Sequence, residues 1–146
     1  MPAAVTQGIR VEVEGEFRAD RSAPAARRYL FTYLVRIANE GATAAKLLSR
    51  HWVITDAQGE REEVVGEGVV GQQPRLDPGE SFEYTSYCVL RTPLGQMRGT
   101  YTMMRDDGTT FLAEIALYDE VLSGRERGDD GEEERVILST VHQAKG

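Results

Sequence analysis

A strict two-residue alternation opens this chain and limits what it can fold into. From Ile9 the odd positions read Ile9, Val11, Val13, Gly15 and Phe17, while the even positions read Arg10, Glu12, Glu14, Glu16 and Arg18. One face is apolar and the other fully charged. A helix would scatter these residues around its axis, because its neighbours on one face lie three or four apart. A strand keeps them sorted, with one side on a core and the other in water.

The same period recurs downstream. In Arg28 to Asn39, Tyr29, Phe31, Tyr33, Val35 and Ile37 share one face. The opposite face (Leu30, Thr32, Leu34, Arg36, Ala38) is half apolar, which predicts a central strand. Asn39-Glu40-Gly41 ends it with turn chemistry. Ala42 to Lys46 is too short for a stable helix and reads as loop, as does Asp20 to Ala26. A third strand is predicted over Leu47 to Asp56, with Leu48, Trp52 and Ile54 on one face. Gln58-Gly59 turns the chain into a fourth, Glu60 to Val65. Gly66 to Gly79, with four glycines and two prolines, reads as irregular connection. Ser81 to Leu90, Met97 to Arg105 and Thr109 to Tyr118 complete the set. Phe82, Tyr84, Ser86 and Cys88 share a face of the first, and Asp107-Gly108 marks a hairpin between the last two.

Seven short strands and no helical window predict an all-β, immunoglobulin or fibronectin type III-like sandwich of antiparallel strands; a small closed barrel is the alternative. Trp52 suits facing sheets, whose shared core is about 10 Å thick. At 146 residues the chain fits one domain and can bury about two-thirds of its unfolded surface without metal or disulfide. The predicted division is an N-terminal segment 1–7, a sandwich domain 8–118 and an acidic tail 119–146. Within the tail, Ser123 to Arg135 holds nine charged residues among three glycines, which is linker composition. Val136-Ile137-Leu138 and Val141 form a small apolar island after it.

Charge narrows the function classes. Seventeen basic against 24 acidic residues give a net charge of −7. A phosphate-binding surface needs a basic field, so nucleic acid is not expected as a partner. No apolar run approaches the roughly 20 residues of a membrane helix, so no membrane role is expected. The N-terminus lacks the pattern of a secretory signal. One cysteine, Cys88, permits no intrachain disulfide, and cysteine-poor chains fit the cytoplasm.

Three stretches, LLSRHWVITD (Leu47 to Asp56), GEGVVGQQPRLDPGESFEYTSYCVL (Gly66 to Leu90) and GQMRGTYTMM (Gly95 to Met104), resemble the ApaG family. The resemblance runs from about Gly8 to Tyr118 and omits the acidic tail. It implies a fibronectin type III-like sandwich, often paired as a homodimer. In eukaryotes similar domains are appended to an F-box protein and to a DNA polymerase-interacting protein, which implies a protein-binding module. Bacterial members carry a label tied to cobalt resistance and magnesium efflux.

Gly66, Gly68 and Gly71 spell G-x-G-x-x-G. Dinucleotide chemistry at that motif requires a helix opening from it, whose N-terminus holds the pyrophosphate. Pro74 and Pro78 leave a helix no room, and Glu62, Glu63 and Glu67 would repel phosphate. The glycines therefore read as loop glycines supplying positive φ and close backbone approach. A nest of their amides remains the alternative use, as a small-anion or nucleotide sensor.

Metal and nucleophile signals are weak. His51 and His142 are the only histidines and Cys88 the only thiol. No metal or other cofactor is expected, since zinc or cobalt sites take several nitrogen or sulfur ligands. Cys88 shares its face with Phe82 and Tyr84 and reads as a buried, inert thiol. No triad, phosphate loop or zinc-protease motif is present, so no enzymatic activity is expected. Binding fares better. Tyr87 and Val89 lie opposite Phe82 and Tyr84, so one set must point outward. Exposed aromatics beside arginine are the composition of interface hot spots. Arg50, His51, Tyr87 and Arg91 are the candidate docking residues, and a homodimer or a protein partner is the expected occupant.

Overall fold

In the computed structural model, residues 3–119 are described; the acidic tail beyond Asp119, with its 136–141 island, lies outside them. The alternating segments form nine strands: β1 (Ala3–Thr6), β2 (Ile9–Phe17), β3 (Tyr29–Asn39), β4 (Ala45–Asp56), β5 (Arg61–Glu67), β6 (Arg75–Leu76), β7 (Ser81–Leu90), β8 (Gly95–Arg105) and β9 (Thr110–Asp119). Among the described residues the only helical pieces are two three-residue 3₁₀ turns, Ala19–Arg21 and Pro24–Ala26, in the predicted loop.

All pairing is antiparallel. One sheet runs β1-β2-β3-β7 and the other β5-β4-β8-β9, with β6 also on β4. The apolar rows predicted from alternation face each other between the sheets. Ile9, Val11, Val13, Phe31, Val35 and Ile37 of the first meet Leu47, Trp52, Met97, Tyr101, Met103 and Ala113 of the second. β3 is central, between β2 and β7, which explains its second, half-apolar face. Trp52 fills the core as expected. Its ring lies 5.8 Å from Tyr33 and 6.2 Å, edge-on, from Tyr101.

The structure departs from the sequence expectation in five places. β1 extends the first sheet from inside the 1–7 segment, where small residues gave little pattern. β4 starts at Ala45, and β5 runs on to Glu67. β6 arises within the expected irregular stretch, held to Ala45 and Lys46. A bulge between Leu47 and Ser49 shifts the β4 register, so Leu47, not Leu48, joins Trp52 on the core side. A bulge inserts one residue and flips the faces beyond it, which period counting cannot detect.

The two long sides of the sandwich differ. On one, β1 and β2 pack against β9, and Thr6 Oγ1 accepts a bond from the Glu114 amide (3.1 Å). On the other, β5 and β7 end their respective sheets, and the space between them is open.

Candidate functional site

The open side gathers most of the predicted docking residues. β5 and β4 line it from one sheet, and β3 and β7 from the other. A cleft of about 400 Å³ lies there, floored by Tyr33, Trp52 and Cys88 and rimmed by Arg50, Glu62 and Tyr87. It adjoins a second hollow that includes Arg27, Arg61 and Arg91. Val89 and Ile54 border both. Tyr87 is 62% exposed and Val65, on β5, is 72% exposed.

Alternation separates the four candidates. On β4, Arg50 shares parity with Trp52 and Ile54, so its stem enters the sandwich. His51 points to the opposite face and meets Glu63 of β5 at 2.9 Å. That bond, with a smaller contribution from Arg61, holds the Glu63 carboxyl below its usual range. Tyr87 also points outward from β7, yet with Arg50 it lines the cleft, and Arg91 lines the adjoining hollow; His51 lines neither.

Backbone parity shows what β7 offers. The Asn39 N–H donates to the Glu80 carbonyl (2.9 Å). Down the β3–β7 register, the even residues of β7 from Phe82 to Leu90 therefore bond to β3. The backbone groups of Ser81, Glu83, Thr85, Tyr87 and Val89 face away from it. Among the described residues, no strand pairs with that side.

The glycine motif has a separate explanation. Gly66 pairs with Arg50 in the β4–β5 ladder. Arg50 Nη1 crosses it to donate to the carbonyls of Glu67 (3.1 Å) and Gly68 (2.7 Å). Gly68 has φ +64°, and a Cβ there would sit 2.3 Å from the Gln72 carbonyl oxygen. Gly71, at φ +81°, follows Val70 at φ +43°, the left-handed pair of a tight turn closed by reciprocal Val69–Gln72 bonds. The Gly68 amide donates to Leu48 and the Val69 amide to Gln72, so an anion nest across this loop would lack two donors. No helix opens from it.

Three buried tyrosines lie behind the cleft. Tyr84 and Tyr101 share a 2.5 Å hydroxyl contact. Burial raises all three phenols, Tyr33 to about 12. They are held neutral at physiological pH and serve packing. Among the described residues, no group of three or more His, Cys, Asp or Glu could hold a metal ion. No helix among them is long and apolar enough to cross a membrane.

The sequence profile of the ApaG domain matches residues 19–105, more than half of the chain. This chain belongs to the ApaG family. Protein ApaG of Anaeromyxobacter dehalogenans is 61% identical over 124 residues, covering 85% of this chain and 98% of its own length. Protein ApaG of Xanthomonas campestris is 56% identical over 110 residues, covering 75% and 87%. A solved Bordetella pertussis structure described as an ApaA protein superposes with TM-score 0.73 at 46% identity, covering 77% of this chain and 91% of that one. The ApaG relatives carry a name that states no reaction. For this ApaG domain, sequence reasoning named Arg50 and Tyr87 as candidates without the cleft that both of them line. Only the sheet order reveals which strands stand at an edge.

Proposed function

We propose that this ApaG domain is a non-enzymatic, cytoplasmic protein-interaction module that docks partners on its open side. One observation carries the reading: β7 is a ten-residue edge strand whose free backbone row runs beside exposed Tyr87 and the cleft. Such an edge is a template for strand addition. The main chain supplies affinity, and neighbouring side chains supply selectivity. Arg50 and Arg91 flank the apolar rim and favour a partner with acidic residues at those points. Any link to cobalt resistance or magnesium efflux would then be indirect, through the docked protein.

Thr85→Pro tests this. It removes an N–H from the free side of β7 without touching the bonds to β3, where proline is tolerated. Immobilised wild-type protein should retain a protein that T85P and Y87A release, while both variants keep the wild-type melting temperature within a few degrees. Equal retention by T85P overturns the reading.

A further inference from the structure

Positive charge collects at one end of the sandwich, in a chain whose net charge is −7. β2 ends at Phe17 and β3 begins at Tyr29. The connection between them, residues 18–28, carries Arg18, Arg21, Arg27 and Arg28 against one acid, Asp20. Arg18 already holds that acid (3.3 Å). β7 ends at the same place. Tyr29 pairs with Leu90, so one further step along the register brings Arg28 alongside Arg91. Arg27 and Arg91 together line the hollow there. Among the described residues, Arg21, Arg27, Arg28 and Arg91 enter no ion pair. Like charges set side by side repel, and an anion laid across them would relieve that repulsion. The carboxylates that share the hollow, Asp56, Glu60 and Glu62, stand on its other wall with Arg61, and Asp56 is engaged by the amides of Gln58 and Glu60.

The tail begins at this same end. β9 packs against β2, and its last residue, Asp119, pairs with Gln96 near the start of β8. Only Arg91 to Leu94 join the end of β7 to the start of β8. Crossing between the sheets and over two strand spacings puts Asp119 about 15 Å from the arginines. We propose that the acidic run Asp129 to Glu134 of this chain's own tail docks on Arg27, Arg28 and Arg91. The run holds five carboxylates in six residues. The ten residues from Asp119 to Asp129 reach about 33 Å when extended, twice the span required. A single exposed ion pair contributes about 1 kcal/mol or less, so the docking depends on several acting together. The tether assists, since it holds the run near the arginines at an effective concentration of the order of millimolar. A protein partner that uses Arg91 must then displace the tail. That consequence rests on the reading of the open side as a docking surface, whereas the tail contact itself does not.

Paramagnetic broadening tests the contact on the full chain. A nitroxide on Gly131→Cys, in a Cys88→Ala background, should broaden the amides of Arg27, Arg28 and Arg91 at about 20 mM salt. Near 1 M salt, where the screening length falls to about 3 Å, most of that broadening should vanish. Arg28→Glu with Arg91→Glu should remove about half of the low-salt broadening or more, as two of the three seats are lost. Adding Glu132→Lys, Glu133→Lys and Glu134→Lys to that variant should restore it. Isotope-labelled chains without nitroxide, mixed with unlabelled chains that carry it, should keep sharp amides. Melting temperature confirms that each variant folds. Broadening that ignores salt, that survives R28E/R91E, or that passes between chains overturns the proposal. If the amides stay sharp throughout while T85P still releases a protein that wild type retains, the tail contact falls and the docking edge stands. If the broadening behaves as expected but T85P retains its partner, the docking edge falls and the tail contact stands.

Discussion

The guanidinium of Arg50 occupies the space that a side chain on Gly66 would need. A Cβ on Gly66 would lie 2.9 Å from Cζ and both terminal nitrogens of Arg50, in contact with the end of a flexible side chain and not with backbone. Gly66 is therefore the seat across which Arg50 reaches the carbonyls of Glu67 and Gly68. Gly66→Ala should expel Arg50 and cost about 1 kcal/mol, the worth of the hydrogen bonds lost. In an Arg50→Ala background the same change should cost nothing or stabilise slightly, since alanine suits a strand better than glycine. Urea unfolding of the four proteins in this cycle measures the coupling. Additive effects would show that Arg50 does not hold Gly66 in place.

Part of this relationship was legible in the sequence. The Gln58-Gly59 signal predicts that β4 and β5 pair, but counting outward from a two-residue turn there would set Arg50 opposite Glu67. The loop is three residues, closed by the Asp56–Glu60 bond, and sets Gly66 opposite Arg50 instead. Alternation placed Phe31, Val35, Ile37 and Trp52 in the core, because a two-residue period survives wherever one face is wet. What counting missed is the path of the guanidinium, which depends on where β5 ends and on the loop after it. The bulge beside Leu48 was invisible because it changes parity without changing composition. The exposure of β7 depends on sheet order, a property of long-range pairing that no local window contains.

Gly68 and Gly71 differ in kind and should respond differently to alanine. Gly71 has a positive φ but no atom within 4 Å of a Cβ position, so alanine pays only for the left-handed backbone, about 1–2 kcal/mol. Asparagine at Gly71 should recover much of that loss, since it tolerates this conformation. At Gly68 the Gln72 carbonyl also stands in the way, so alanine should cost about 3 kcal/mol and asparagine should not rescue it. Thermal melts rank the variants. Equal costs at the two positions would rule out the steric distinction.

Asn39 was read as turn chemistry, yet its side chain joins three segments. It is buried, its Nδ2 donates to the carbonyls of Thr43 and Leu76 (2.9 Å each), and its Oδ1 accepts from the Gly41 amide (2.9 Å). It thereby ties the β3 end to the approach to β4 and to β6. Asn39→Ala strips partners from three backbone groups in poorly solvated surroundings and should cost about 3 kcal/mol. Asn39→Asp keeps the acceptor but presents oxygen to two carbonyls, so it should be no better than alanine near neutral pH. Denaturant midpoints decide between these outcomes. An aspartate variant as stable as wild type would show that the two donated bonds contribute nothing.

Alkaline pH should unfold the protein through its buried phenols. Burial is the largest cause of the raised values at Tyr33, Tyr84 and Tyr101. For Tyr33, the rise from 10 to about 12 makes ionisation in the folded state about 3 kcal/mol dearer than in the unfolded chain. Between these values the unfolded chain binds fewer protons than the native one. Stability is therefore complete below pH 10 and falls as pH rises toward 12. Tyr101→Phe removes one such group. It should cost about 1 kcal/mol at pH 8, where the hydroxyl contact with Tyr84 is lost. Above pH 10 it should show a shallower decline than wild type. Urea unfolding at pH 8, 10 and 11 provides the comparison, and identical slopes for the two proteins would exclude Tyr101 from the alkaline transition.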